Sequence, residues 1–441
     1  MEPIRVGFVS LGCAKNLVDT EVALGILTQE GFGITFREEE ADVLVVNTCT
    51  FIDAARQESL QTIKELAENK KDKCRALIVA GCLAQRYGES LLEDLPAIDA
   101  LLGTGEIHRL PQAIRRVFSG DKVVWVGEPT ALYDHRMPRL TTGAGHSVYV
   151  KIAEGCHRHC TYCVIPQVRG KLRSRSIRSI LEETKRLVAA GAREVILIAQ
   201  DTTAYGVDRY GRPMLSELLR RLARVEGLEW VRFLYTYPTG FTPELIRVLA
   251  EEEKVCRYVD LPLQHISDPI LKRMGRRGGK ETILKLIKAL RQIPEIVLRT
   301  TFIVGFPGET EAQFEELLRF MEYVEFDHVG VFTYSQEEGT SAGRLDGQLP
   351  HEVKEERRAR AMALQARISR RRNRARLGSR TEVLIEGGGK GGSWGRTRGQ
   401  APEVDGITHL PGVHLQPGQI IKARLVGAGT YDLYAAPLAR D

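Results

Sequence analysis

The sequence predicts an α/β protein in three parts: an N-terminal parallel α/β domain, a central partial (βα)6 barrel and a small C-terminal antiparallel β-barrel. Three observations carry that reading. Short β-branched runs alternate with amphipathic stretches from residue 1 to about 130, and six more times between 146 and 376. An irregular segment, 131–145, separates the two runs and reads as a linker. From 378 to 441 the pattern changes to brief β segments between Gly-rich turns.

In the first run, Arg5–Ser10, Val43–Asn47 and Ala76–Ala80 read as strands, with helices over Val18–Glu30 and Ala54–Asn69 between them. A cysteine follows each strand: Cys13, Cys49 and Cys82. Loops after the carboxyl ends of parallel strands gather on one edge of the sheet, so these three should converge. Three small buried residues is the plain alternative. Their shared topological position favours a ligand set instead, fitting an iron–sulfur cluster with one open iron.

In the second run, strands are expected at Ser147–Ala153, Glu194–Ala199, Trp230–Tyr235, Tyr258–Leu263, Val297–Val304 and Val329–Thr333. Helices such as Ser179–Ala190 and Lys280–Arg291 fill the gaps. By analogy with full barrels, the site lies at the carboxyl ends of the strands. Directly after the first strand stands Cys156-His-Arg-His-Cys160-Thr-Tyr-Cys163, a C-x3-C-x2-C spacing. Three thiolates this close suit three corners of a cubane iron–sulfur cluster, which normally takes four protein sulfurs; the remaining iron is then open to a small molecule. A thioredoxin-like couple at Cys160 and Cys163 would need no third cysteine. Zinc could recruit His157 or His159 as a fourth ligand, but only through unusual chelate loops.

Other candidates rest on strand-end position alone: Gln200, Asp201, Gln264, Arg299 and Gly305 as contacts to a bound nucleoside. The run Gly305-Phe-Pro-Gly-Glu-Thr310 is not a phosphate loop, because no Gly-Lys-Ser/Thr follows. Its glycines would let backbone approach a ligand closely. Cys74 and Cys256 fit neither set and read as ordinary thiols.

Composition narrows the function classes. The hydrophobic (43%) and charged (27%) fractions are those of an ordinary globular protein. No stretch approaches the ~18 uncharged apolar residues of a membrane helix. The N-terminus reads as a strand and not as a signal peptide, so a cytoplasmic location is expected, where cysteines serve as ligands or free thiols. Much of the +6 net charge comes from residues 354–376, where nine arginines crowd one helical stretch. A solvated helix face and a surface meeting RNA both fit that run. From Arg380 onward bases barely outnumber acids, which favours a protein partner over an RNA backbone.

The layout, and Tyr162 just before the last cysteine of the signature, resemble the radical S-adenosylmethionine methylthiotransferases across essentially the whole chain. Within them, Ser10-Leu-Gly-Cys-Ala-Lys-Asn-Leu-Val-Asp19, Asn47-Thr-Cys-Thr-Phe-Ile-Asp53 and Gln200-Asp-Thr-Thr-Ala-Tyr-Gly206 are similar to the branch that modifies a ribosomal protein. His157 departs from the Asn usual at its position and leaves the three cysteines intact. The resemblance implies two [4Fe-4S] clusters, one on Cys13, Cys49 and Cys82, the other on Cys156, Cys160 and Cys163. It also implies S-adenosylmethionine with Tyr162 beside it, an external electron donor and a C-terminal TRAM barrel. The implied reaction is methylthiolation of the β-carbon of an aspartate in small-subunit ribosomal protein twelve, with the ribosome as a further partner and no membrane. Two other readings stay open: methylthiolation of adenosine in tRNA, and a non-catalytic, zinc-containing ribosome- or RNA-binding protein.

Overall fold

The computed structural model describes residues 3–68, 70, 73–143 and 145–438. The expected helix end at Asn69 and the last three residues, 439–441, lie outside that range. The first part is a six-stranded, all-parallel sheet of β1 (Arg5–Ser10), β2 (Gly33–Thr35), β3 (Val43–Thr48), β4 (Ala76–Gly81), β5 (Ala100–Leu102) and β6 (Val123–Trp125), in the order β2-β1-β3-β4-β5-β6. Strands β3 and β4 are buried along their whole length, as continuous apolar runs covered on both faces should be. Helices α1 (Ala14–Gln29), α2 (Asp53–Glu68) and α3 (Cys82–Tyr87) leave the strand ends, and α4 (Leu110–Phe118) joins β5 to β6.

Residues 131–143 hold no helix or strand but are anchored. Arg139 pairs with Glu21 of α1 and with Glu183 at 2.8 Å, and Gly25 is needed because an added Cβ would lie 2.6 Å from the Pro138 carbonyl carbon.

Six parallel strands follow: β7 (Ser147–Lys151), β8 (Glu194–Ile198), β9 (Trp230–Phe233), β10 (Tyr258–Asp260), β11 (Val297–Val304) and β12 (His328–Thr333). They form two three-stranded sheets, joined by a parallel bridge between Val231 and Val255 and by the Thr236 amide donating to the Asp260 carbonyl at 3.1 Å. Among the described residues the first and last strands do not pair, so the barrel is open there. The long helix α6 (His351–Ala375) packs against β12.

The last part is a closed five-stranded barrel: Arg380–Gly389, Gly392–Thr397, Thr408–Pro411, Ile420–Ala428 and Leu433–Pro437. Four of its pairings are antiparallel as expected, but Thr408–Pro411 runs parallel to Leu433–Pro437.

The three parts share one apolar cluster. Ala14 and Val18 of α1, Tyr149, Ile198, Trp230 and Tyr258 from the open barrel, and Leu384 and Ala401 of the small barrel pack together. Charge reinforces the join: Arg396 of the small barrel and Arg232 of β9 both bind Glu194, at 2.6 and 2.8 Å, with all three side chains at most 1% exposed.

Candidate active site

The first cysteine set is placed by register. Ser10 pairs with Asn47, and Thr48 with Gly81, so β1, β3 and β4 end level and their loops leave one edge. Cys13 caps α1, Cys82 opens α3, and Cys49 follows β3 between them. The three thiols are close enough to act on one another electrostatically. Gly12 makes the approach feasible: at φ +89° it sits where a Cβ would be 2.6 Å from Cys49 Cβ and 3.0 Å from its Sγ. Ser59 Oγ fixes the Cys49 backbone, donating to its carbonyl at 2.9 Å and accepting from its amide at 3.1 Å. Burial raises the Cys49 thiol and pushes Cys82 up to about 11. Burial opposes ionisation at Cys13 too, but Lys15, Arg169 and two backbone amides outweigh it and hold that thiol below its ordinary value.

The second set lies in the loop after β7. The Cys156 amide donates to the Gly170 carbonyl at 3.1 Å, and the Arg158 amide donates to Cys156 Sγ at 3.3 Å. Across the mouth, the Thr161 amide donates to the Met274 carbonyl at 3.0 Å and its hydroxyl to the Arg273 carbonyl at 2.8 Å. Gly275, at φ +68°, leaves room for the His159 carbonyl, which a Cβ would meet at 2.6 Å. Burial pushes Cys156 up to about 11 and Cys163 up to about 12, so both remain thiols until a metal replaces their protons. A polar layer supports the loop. Arg158 pairs with Asp201 at 2.8 Å and stacks 4.0 Å over the Tyr237 ring; Arg276 stacks over the same ring at 4.4 Å and donates to the Tyr162 hydroxyl at 3.3 Å.

One short helix links the two sets. Helix α5 (Ile165–Arg169) starts two residues after Cys163 and ends at Arg169, whose positive charge acts on the Cys82 thiol of the other domain. Arg169 also binds Asn16, Asp19 at 2.7 Å and Glu154 at 3.3 Å, and Glu154 stands two residues before Cys156. Lys151, between Asp19 and Glu154, completes a buried group of two cations and two carboxylates. At the rim, Arg86 of α3 pairs with Glu337 at 2.8 Å, and Thr104 Oγ1 donates to the Val168 carbonyl at 2.6 Å. The cysteine edge of the first sheet therefore lies on the mouth of the barrel.

The donor chemistry fits iron–sulfur clusters. Each set offers three soft thiols, with the Arg158 amide donating to Cys156 Sγ in one and the Arg169 charge acting on Cys82 in the other. Among the described residues, no three His, Cys, Asp or Glu side chains stand as they would around a single metal ion. The thiolates of a cubane bind different irons and so stand further apart than the ligands of one ion.

Other expectations meet mixed outcomes. Gln200 lies at the mouth, its Nε2 donating to Glu154 at 2.8 Å while its buried Oε1 has no partner. Gln264, at φ +71°, likewise keeps an unpartnered buried Oε1. Asp201 is committed to Arg158 and to the Thr203 hydroxyl. Arg299 is not at a strand end: it is the third residue of β11, neutralised by Asp260 at 2.8 Å and by Asp405 of the small barrel at 3.6 Å. The glycine-rich loop is closed on itself, because Glu309 accepts from the amides of Gly305 and Phe306 at 2.6 and 3.0 Å. Gly305 is required there against Lys354, whose Cγ would be 2.4 Å from an added Cβ.

Cys74 and Cys256 are buried away from both sets. Most of the arginine run on α6 is consumed internally: Arg357 by Glu309, Arg360 by Glu311 and Glu315, Arg371 by Glu325, Arg372 and Arg376 by Asp327. Cavities lie both away from the barrel mouth and beside the first cysteine set. One of about 900 Å³ opens at the amino ends of the barrel strands, lined by Arg257, Arg376, Arg380 and Lys422, and one of about 180 Å³ lies between Cys13 and Glu403.

Sequence reasoning missed Lys15, Arg158, Arg169, Tyr237 and Arg276. Arg158 could have been found from its place inside the cysteine loop; the others depend on partners far away in the chain.

An open parallel barrel with three cysteines after its first strand defines a radical S-adenosylmethionine enzyme, and residues 150–321 match the radical SAM superfamily. Residues 5–103 match the family described as uncharacterized protein family UPF0004, and 377–438 the TRAM domain. Of solved structures, the radical S-adenosylmethionine methyltransferase TsrM from Kitasatospora setae is similar in fold, with a TM-score of 0.56 at 16% identity over 77% of each chain. The chain is 52% identical to the ribosomal protein uS12 methylthiotransferase RimO of Pelotomaculum thermopropionicum, covering 98% of both. It is 50% identical to that of Symbiobacterium thermophilum, covering 98% of this chain and 90% of the relative. The chain belongs to the ribosomal protein uS12 methylthiotransferase family.

Proposed function

We propose that this chain transfers a methylthio group to the β-carbon of an aspartate in ribosomal protein uS12, using two [4Fe-4S] clusters and two molecules of S-adenosylmethionine. Cys156, Cys160 and Cys163 would hold one cluster, and Cys13, Cys49 and Cys82 the other. The observation that carries this is the meeting of two three-thiol sets across one seam, joined by the single turn of α5. When bound, the clusters and S-adenosylmethionine supply a primary carbon radical for an unactivated C–H bond and a sulfur to trap the carbon. The chain's own part is placement: it holds both sulfur sets on one substrate atom and excludes water, which is the proximity effect. Tyr162 and the unpartnered oxygens of Gln200 and Gln264 are proposed contacts for the nucleoside.

The reading divides the chain into a cluster domain over 1–130, a linker over 131–145, a radical domain over 146–376 and a TRAM domain over 378–441. An external reductant and, for an enzyme acting on a ribosomal protein, a cytoplasmic location go with it.

Anaerobic reconstitution followed by assay on uS12 and on tRNA side by side tests it. About eight irons per chain and a methylthio mass on the protein support the reading. The same mass found on nucleoside after nuclease digestion would move the chain to tRNA chemistry, and a colourless, zinc-loaded protein would end both.

A further inference from the structure

Lys15 is 8% exposed, and among the described residues no carboxylate stands within ion-pair distance of it. Every other buried lysine or arginine among the described residues has one. Lys151 and Arg169 touch Asp19 and Glu154; Arg175 touches Glu183; Arg232 and Arg396 touch Glu194; Arg357 touches Glu309. Burying an ammonium without a counter-anion is costly; a carboxylate meets that cost for the other six, whereas Lys15 has beside it only the Tyr235 ring and the Cys13 sulfur.

The position of that cation is specific. Lys15 lies on the first turn of α1, two residues after Cys13, and its Nζ stands 3.3 Å over the ring of Tyr235. Tyr235 follows β9 at the carboxyl end of the barrel, held in a left-handed conformation (φ +61°) with its amide bonded to Asp260 at 2.8 Å. The ammonium is thus in the seam between the first cysteine set and the barrel mouth. Of the acids nearby, Asp19 is committed to Lys151 and Arg169 and Asp260 to Arg299, while Glu403, across the small cavity beside Cys13, makes no ion pair with Lys15.

We infer that Lys15 is the receptor for the side-chain carboxylate of the substrate aspartate, with Tyr235 forming the wall that orients it. The inference rests on the uS12 reading above. It makes chemical sense for that substrate: the reacting β-carbon is bonded directly to the carboxyl carbon, so clamping the carboxylate fixes the β-carbon beside Cys13. A neutral asparagine in the same place would offer the ammonium no charge.

The test measures binding of uS12 to the reconstituted enzyme, comparing protein carrying the target aspartate with protein carrying asparagine there. The aspartate form should bind roughly tenfold to a hundredfold more tightly, as for a charged hydrogen bond to a buried partner. Lys15→Gln should abolish that difference, and Lys15→Arg should retain part of it. Iron content and the electron paramagnetic resonance of the reduced clusters should stay as in the wild type.

Retention of the full preference in Lys15→Gln would overturn the inference, as would altered spectra with the preference intact, since Lys15 would then serve the cluster alone. Equal binding of the two forms by the wild type would also overturn it, and needs no variant to fold. A wild type that modifies uS12 yet shows no preference removes only the role of Lys15; one that modifies no uS12 removes the underlying reading.

Discussion

A methyl group on Gly12 would stand 2.6 Å from Cys49 Cβ, on a backbone at φ +89° that side chains rarely adopt. Gly12→Ala should therefore push the Cys13 and Cys49 loops apart at a cost of about 1–3 kcal/mol. The expected readout is iron falling from about eight to about four per chain after reconstitution, with circular dichroism unchanged. Arg169 makes a different kind of demand. Arg169→Met leaves Asp19 and Glu154 sharing Lys151 alone in a buried site, so stability should drop by about 3–5 kcal/mol. Thermal unfolding of the metal-free protein measures this without relying on cluster loading. Both residues were invisible as functional positions in the sequence, because Gly12 meets Cys49 across 37 positions and Arg169 meets Asp19 across 150.

At the scale of elements, the strands and their order along the chain were legible. Period-two runs and β-branched composition mark buried parallel strands, and all six expected strands of the barrel form within a few residues of their expected limits. Because parallel strands end on one edge, the convergence of Cys13, Cys49 and Cys82 was legible as well. Two contacts expected from position alone have neighbours that only packing supplies: Arg299 pairs with Asp260, and Gly305 packs against Lys354.

The β8 residue Glu194 is the counterpart in stability. Despite burial, Arg396 and Arg232 hold its carboxyl down at about 2. Its folded value lies below its unfolded one, so its contribution is complete at neutral pH and disappears as pH falls through roughly 4 towards 2. Glu194→Gln should lower the melting temperature at pH 7 and flatten this part of the acid dependence. Identical acid profiles for the two proteins would show that Glu194 does not carry the effect.

For the whole molecule, the decisive feature is the seam where three parts meet in one apolar cluster, with the cysteine edge of the first sheet resting on the barrel mouth. Function should therefore separate cleanly along that seam. Replacing Cys13, Cys49 and Cys82 together by Ala should leave reductive cleavage of S-adenosylmethionine intact while abolishing methylthiolation. Continued transfer of the methylthio group by that triple variant would refute the role given to the first domain. Helix α6 spends much of its charge on Glu309, Glu311, Glu325 and Asp327 and braces the barrel.

By itself the sequence determined the kinds of element, their order and the identity of six clustered thiols, because periodicity and short spacings are local properties of a chain. Only the tertiary structure decided which charges neutralise which, that Arg169 spans the two cysteine sets, and that Lys15 is left without a carboxylate. Those facts depend on distances between residues remote in sequence, and burial sets their energies only once the chain has folded.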